Sequence, residues 1–471
     1  MSTTSEILRL LRAYESRNVV FAEPDGSWPI VWERARGVHV WDAEGKKYLD
    51  LTAAFGVAAA GHANPRVVKA GQKQLARLPH AMGDVHPHAL KAGLARKLSE
   101  ITFERWSKLK TQNSKFKTGK TIFCNSGFEA VEAALKTAML ATGKRGVIAF
   151  EGAYHGLGYG ALNATHRDFF RGPFRSQLRE FGHFVPFPKG RARSPNAPRR
   201  AEDNAPYLNS VEARIRSFFR REKIGAILVE PIQARGGINI PPPEFLPLLR
   251  KLCDEFNALL ILDEIYTGFG RTGKWFACEH SGTGVSPVSS GSRKDTDGQD
   301  ARPTIPDLIC LGKALTGGFP SSACVGRADL MDAAWPASRG EAIHTSTFLG
   351  NPVGCAMALA QIKEIERLKL PQRSAELGRF VLTELSGVHS PKFTVQVRGL
   401  GLLAGIELRR HDGSPATTET FSIIKKMLTQ GFILLPEGEH GNVISFTPPL
   451  MITKAQLAKA VSVLAEVLSQ E

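Results

Sequence analysis

Two charged residues, each following a short apolar run, are where this sequence could do chemistry. Asp263 ends the Leu- and Ile-rich run in LLILDEIYTGFGRTG, residues 259–273, and Lys313 follows residues 308–311 in PDLICLGKALTGGFP. Runs of this kind are what buried parallel strands look like where they deliver side chains to the carboxyl edge of a sheet. An acid at such a strand end serves one of two ligands. In a P-loop ATPase it holds Mg²⁺; in a pyridoxal phosphate (PLP) enzyme it pairs with the pyridinium nitrogen and keeps it protonated. A phosphate loop needs G-x-x-x-x-G-K-[ST] between a strand and a helix. The nearest match, SKFKTGKT at 114–121, has Ser114 where the first Gly belongs, and a strand-like run at 121–124 follows it. It reads as an exposed basic loop. A PLP enzyme needs a lysine that can form a Schiff base, and Lys313 supplies one, with Gly317 and Gly318 letting the backbone turn close to a ligand.

The elements that must position these residues alternate between strand and helix from about residue 121 to 325, the pattern of an α/β fold with a parallel central sheet. IFCNSGFEAVEAALK, 122–136, is a strand, a turn and a helix start, so the free N–H groups of Ser126, Gly127 and Phe128 are placed to cradle a phosphate, the alternative from this motif alone being an N-cap without a ligand. FEGAYHGLGYG, 150–160, is a strand end and a flexible loop that places Tyr154 and His155 where an aromatic could lie on a planar cofactor. Residues 224–230 form the next buried strand, with Glu230 at its carboxyl end, and a helix covers 244–257. Residues 189–206 are a surface loop, and the Ser-, Gly- and Asp-rich 281–304 an exposed, mobile insertion. A β-hairpin is expected over 38–51, a turn at His62, and helices at 65–78, 353–367 and 454–468. Strands are expected near 432–435 and 443–446. G-L-G-L-L-A within 393–408 matches the dinucleotide fingerprint formally, but a strand-like AGIEL follows where a helix is required, so it belongs to a curved sheet.

Composition bounds the rest. A chain of 471 residues holds one large α/β domain and a smaller one. No apolar run is long enough to span a bilayer, and the first 17 residues lack a signal-peptide core, with Ile7, Leu8, Leu10 and Leu11 marking a short amphipathic helix. Six scattered cysteines without a C-x-x-C pair read as buried thiols in a reducing compartment, the cytoplasm. Half of the +16 formal charge lies in residues 166–223, where 14 Lys and Arg face 6 Asp and Glu. No nucleic-acid recognition pattern accompanies it, so it is read as a solvated basic surface that attracts anionic substrates.

Taken in order, SGFEA, YHG, VEPIQ, DEIYTGFGRTG, the lysine of LGKALTGGFP, STFLGNP and FTPPL resemble the class III aminotransferases, fold-type I PLP enzymes that include ornithine, acetylornithine and 4-aminobutyrate aminotransferases. The resemblance runs from about residue 35 to 455. It implies a large PLP domain at 66–340 and a smaller α+β domain formed by both termini, 1–65 and 341–471. It also implies transfer of an amino group from an amine or ω-amino compound to a keto acid, pyruvate or 2-oxoglutarate. By the same resemblance Lys313 carries PLP as a Schiff base and moves the proton between substrate Cα and cofactor C4′, while Asp263 holds the pyridinium nitrogen. Ser126, Gly127 and Phe128 hold the phosphate, and Thr347 reaches it from a neighbouring subunit, making a homodimer the minimum unit, with a tetramer also open. Tyr154 and Ile265 take the two faces of the ring, Tyr266 stands where Gln usually contacts the phenolic oxygen, and His155 and Glu230 complete the cofactor set. A glutamate-1-semialdehyde aminomutase shares the lysine, aspartate and phosphate cradle, but F-G-R-T-G at 269–273 is more similar to the aminotransferases.

The substrate-reading positions depart from that pattern. The arginine that grips a carboxylate after the YHG-type motif is Leu157 here; the glutamate of VEPIQGE is Arg235; the arginine before F-x-P-P-L is Ser445. Loss of a bidentate arginine clamp argues against ornithine, acetylornithine or 4-aminobutyrate as donor. Arg235 is left either as the anchor for a keto-acid carboxylate or as the partner of a surface acid.

Overall fold

The computed structural model describes residues 3–109, 118–189, 205–281 and 303–471. The predicted insertion at 281–304, apart from its ends, most of the loop at 189–206 and the first half of the 114–121 segment lie outside those residues. The first helix, Thr4–Tyr14, carries a capping box between Thr3 and Glu6 and buries none of its residues. Turn residues then divide residues 32–50 into β1 (Trp32–Arg36), β2 (His39–Asp42) and β3 (Lys47–Asp50), an antiparallel meander. His62 is more than the turn residue expected of it. It is buried and its Nε2 lies 2.7 Å from Asp50 Oδ2.

The central sheet has seven strands: β4 (Gly119–Cys124), β5 (Gly146–Phe150), β6 (Gly182–Val185), β7 (Ile224–Val229), β8 (Leu259–Asp263), β9 (Leu308–Leu311) and β10 (Ser322–Arg327), in the order β4-β10-β9-β8-β7-β5-β6. β10 runs antiparallel to both its neighbours and the other pairs are parallel. Helices cover both faces, which is why β5, β7 and β9 are buried along their whole length and read as unbroken apolar runs. The basic-loop reading of GKT is corrected here: Gly119, Lys120 and Thr121 already belong to β4, with Lys120 paired to Asp332. The strand begins two residues earlier than expected, so GKT lies in a strand and not in a loop.

The helix Gly127–Thr142 lies on this sheet through Ala130, Ala133, Ala134 and Ala138, whose small side chains bring its axis close to the strands. Phe245–Phe256, Pro352–Arg367 and Lys454–Gln470 form within two residues of the spans expected from their apolar spacing. The smaller α+β part is built from both ends of the chain. β11 (Phe393–Leu400) and β12 (Leu403–Arg410) form a hairpin, β13 (Phe432–Ile433) adds in parallel to β3, and β14 (Leu435–Glu437) and β15 (Val443–Phe446) complete a four-stranded sheet in the order β11-β12-β15-β14. G-L-G-L-L-A is the turn of the β11–β12 hairpin, at Gly401 with φ +57°, and a Cβ there would sit 2.4 Å from the Thr272 carbonyl carbon. Arg271 locks that contact: its Nη1 donates to the carbonyls of Leu402 at 3.0 Å and Pro448 at 2.6 Å. The F-G-R-T-G turn thereby fixes the small sheet against the carboxyl edge of the large one. All six cysteines are buried and free.

Candidate active site

Parallel register brings the chemistry to one edge. Val229 pairs with Leu262 and Asp263 with Cys310, so Glu230 (the residue after β7), Asp263 (the last of β8) and Lys313 (just beyond β9) leave the sheet side by side. Asp263 is buried, and both its oxygens are engaged. Oδ1 accepts the Ile265 N–H at 3.1 Å and Oδ2 lies 2.7 Å from His155 Nδ1. An ionised carboxylate only accepts, so Nδ1 carries the proton. The imidazole is buried and fixed through its backbone, His155 N–H to Thr165 Oγ1 at 2.9 Å, while its Nε2 has no partner. Glu230 accepts the N–H groups of Tyr154 at 3.0 Å and Ala234 at 3.2 Å. Burial pushes its carboxyl up to about 7, against the pull of His155.

Lys313 opens a short 3-10 turn with φ +40°, a left-handed conformation that costs a non-glycine residue on the order of 1 kcal/mol and persists where the surroundings impose it. Its Nζ lies 4.6 Å from the centroid of the Tyr266 ring. Burial lowers its pKa below the ordinary lysine value, while Asp263 and Glu230 oppose the shift. The free amine is thereby more accessible near neutral pH than on an exposed lysine. Tyr266 presents its ring face to Lys313, with its hydroxyl 3.3 Å from Thr447 Oγ1; burial raises that phenol to about 12.

Ser126 caps the helix Gly127–Thr142 in position only. No side-chain capping bond is made, and its buried Oγ has no partner. A buried hydroxyl without a partner beside the N–H groups of a helix start fits a phosphate. A Cβ on Gly127 would approach Ile265 to 3.1 Å, and one on Gly312 would approach it to 3.3 Å, so Ile265 sits between the helix start and the lysine turn. Gly156 of Y-H-G has φ +107°, and a Cβ there would be 2.3 Å from Phe128 Cβ. That contact explains why glycine follows His155. The donor set fits PLP: an anion cradle at Ser126, a buried carboxylate at Asp263 and a lysine of lowered pKa meet along one sheet edge.

The predicted substrate-reading residues are less uniform. Leu157 is exposed. Ser445 is buried on β15 and donates to the Leu435 carbonyl at 3.2 Å. Thr347 is exposed in a segment that leans on its own chain, with Ser346 Oγ accepting from Asn125 Nδ2 at 3.2 Å. Arg235 stands over Tyr154, its guanidinium carbon 5.7 Å from the ring centroid, and its Nη1 is 3.5 Å from Glu437 Oε2. Two residues of this rim were not picked out by the sequence. Glu437 ends β14, buried. Arg167 Nη2 bonds the carbonyls of Arg235, at 2.8 Å, and Gly438. An acid in PEGEHGN gives no sign that its hairpin returns to the sheet edge, and Arg167 is one arginine among many in a basic stretch.

Comparison with known proteins agrees with this geometry. The family model described as "Aminotransferase class-III" matches residues 20–288 and 297–468. An acetylornithine aminotransferase of Methanosarcina mazei is 35% identical, over 94% of this chain and 92% of its own length. A 5-aminovalerate aminotransferase of Pseudomonas aeruginosa is likewise 35% identical, over 93% of each chain. Among solved structures, an aminotransferase of Bacillus anthracis superposes with TM-score 0.83 at 26% identity, covering 100% of both chains. The family match and these relatives support a transaminase and give no support to the ATPase alternative. The chain belongs to the class III aminotransferases, fold-type I PLP enzymes that pass an amino group from an amine to a keto acid.

Proposed function

We propose that this transaminase takes an amine or ω-amino compound other than ornithine, acetylornithine or 4-aminobutyrate as donor, and that Arg235 anchors the carboxylate of the keto-acid acceptor. The observation that carries this reading is the Arg235–Glu437 contact at 3.5 Å, with Arg235 above the Tyr154 ring and a leucine, Leu157, exposed on the neighbouring loop. A half-buried guanidinium held by one long contact can exchange that partner for a substrate carboxylate in bidentate geometry. The relatives do not choose the donor. Their names include acetylornithine, 5-aminovalerate and putrescine aminotransferases, which differ at the end of the substrate remote from the reacting amine.

In this reading Ser126, Gly127 and Phe128 hold the phosphate of PLP, Tyr154 and Ile265 flank its ring, Asp263 faces its nitrogen, and Tyr266 stands at its edge. PLP, when bound, supplies the electron sink for the carbanion formed at the substrate Cα. Lys313 Nζ moves the proton at that carbon. His155 keeps Asp263 oriented, and Glu230 fixes the loop that carries Tyr154. Thr347 contributes from a second copy, so the active unit is a homodimer; residues 1–65 and 341–471 form the small domain and 66–340 the large one; and the six free thiols suit the cytoplasm. The Arg235→Ala variant tests the assignment. The keto-acid KM is expected to rise about 10- to 100-fold, the worth of a charge-assisted bidentate contact, while the half-reaction with an uncharged-tail amine keeps its rate. Unchanged keto-acid kinetics would remove Arg235 from the acceptor site.

A further inference from the structure

Glu437 has no role in the reading above except as the resting partner of Arg235, yet its surroundings are unusual for a carboxylate. It is only 2% exposed, and Oε2 is buried without a hydrogen bond. Among the described residues Arg235 alone is in ion-pair contact with it, at 3.5 Å, well beyond the 2.7–2.9 Å of a good charge-assisted bond. A buried carboxylate so weakly held is costly unless a cation completes it.

Its place in the hairpin gives it a target. In the β14–β15 ladder Leu435 lies opposite Ser445 and Glu437 opposite Val443. Residues two apart on a strand share a face, so Glu437 is on the same face as Ser445, one rung along. The family's arginine position is therefore neutral, and beside it stands a buried carboxyl whose pKa is raised by burial against the pull of Arg235, Arg167 and Lys313. Together with Arg235 in the family's glutamate position, the two charges of the rim are interchanged across the site.

The backbones under this pair are tied by hydrogen bonds, while the side chains meet only in one long contact. Gly438 N–H donates to the Arg235 carbonyl at 3.1 Å. Arg167 ties the carbonyls of Arg235 and Gly438 together, and Arg398 Nε donates to the Gly237 carbonyl at 2.9 Å. Arg235 can leave Glu437 without moving either segment. Glu437 also shares its electrostatic environment with Lys313, each charge shifting the other's protonation. Its geometric link to the site is Arg235, which is 3.5 Å from Glu437 and stands over the Tyr154 ring.

We propose that Glu437 is the specificity residue for the amino donor and reads a second, distal ammonium group, so that the donor class is an aliphatic diamine. The proposal rests on the transaminase reading. With a dicationic donor Glu437 gains a compact cation and Arg235 is displaced; with a keto acid Arg235 turns to the carboxylate; with neither, the two residues neutralise one another. The same rim then accepts a dication and an anion in alternate half-reactions, with the polarity set by which member of the pair is occupied.

The test is a single-turnover half-reaction of the holoenzyme, followed by the visible band of its bound cofactor. Each diamine from 1,3-diaminopropane to 1,6-diaminohexane is paired with the alkylamine in which a methyl replaces the second amino group. Wild type is expected to favour at least one diamine over its isostere by about tenfold or more, the worth of one hydrogen-bonded charge pair. Glu437→Gln should lower that ratio by about 10- to 100-fold and Glu437→Asp should recover part of it. A wild type that favours the alkylamine in every pair, a ratio untouched by Glu437→Gln, or no recovery in Glu437→Asp would overturn the proposal. A wild type whose band no amine discharges would instead remove the transaminase reading beneath it.

Discussion

Asp263 and Glu437 are both buried carboxylates in the neighbourhood of Lys313, and they are held in opposite ways. Asp263 has a donor on each oxygen, at 2.7 and 3.1 Å, and one of those donors, His155, is itself bonded through its backbone to Thr165. Glu437 has an oxygen with no hydrogen bond and a single cation at 3.5 Å. The first belongs to a floor in which each group is positioned by the end of a sheet strand. The second belongs to a rim in which fixed backbones carry side chains that can change partner. A transaminase must bind two different substrates in turn over one cofactor, and the division matches that need: chemistry that never changes sits on the rigid edge, recognition that alternates sits on exchangeable pairs.

Substitutions separate the two regions. In the floor, loss of function should be general. Lys313→Ala removes the amine that reaches the Tyr266 ring face and is expected to lower kcat by about 10⁴-fold or more for every donor and acceptor, together with the visible band of a lysine-bound cofactor. A variant that keeps the band and transaminates would break the assignment of Lys313. Asp263→Asn keeps the shape and removes the charge, leaving His155 Nδ1–H facing an amide. A drop in kcat of about 10²- to 10³-fold that is the same for all donors is expected, as for other losses of a buried electrostatic partner. A donor-dependent loss would mean that floor and rim are not separate. Ser126→Ala should be milder. The lost hydrogen bond to a phosphate would weaken cofactor affinity by about tenfold, read by titrating apoenzyme with PLP. Because Ser126 Oγ is buried without a partner, the melting temperature of the apoenzyme should not fall. A destabilised apoenzyme with unaltered affinity would identify Ser126 as a structural cap.

The same division governs what could be read from the residues alone. Asp263, Glu230 and Lys313 end apolar runs, and in a parallel sheet the run itself tells where its last residue goes. Ser126 follows from the strand–turn–helix pattern, although the pattern could not show that its hydroxyl stays unpaired. His62 was invisible as a buried partner of Asp50 because that bond joins the meander to a turn outside it. Glu437 was invisible for a stronger reason. Its position depends on the local β14–β15 hairpin and on two contacts between segments far apart in the chain, β13 joining the first sheet and Arg271 pressing the small sheet against the large one. Arg235 was legible as an anomaly and not as a contact.

The smallest effect concerns stability and tests how firmly the floor is built. Glu230 is buried, and its folded pKa of about 7 lies above the 4.5 of a free glutamate. Between those values the folded protein binds a proton that the unfolded chain has already released, so ν for the folded state exceeds ν for the unfolded state. Stability contributed by the neutral carboxyl is therefore complete below about 4.5 and is lost as pH rises through about 7. The loss approaches about 3.5 kcal/mol if the whole shift acts, at ~1.4 kcal/mol per pKa unit, and a few degrees of melting temperature in a chain of this size. Glu230→Gln carries no such proton. The difference in melting temperature between wild type and variant should shrink or change sign from pH 8 to pH 4, in the direction that favours wild type at low pH. The two N–H groups on Glu230, from Tyr154 and Ala234, remain satisfied by the glutamine oxygen only in part, which fixes a pH-independent offset between the curves. A difference that stays constant across pH 4 to 8 would show that Glu230 is ionised throughout. Its carboxylate would then be held as firmly as that of Asp263.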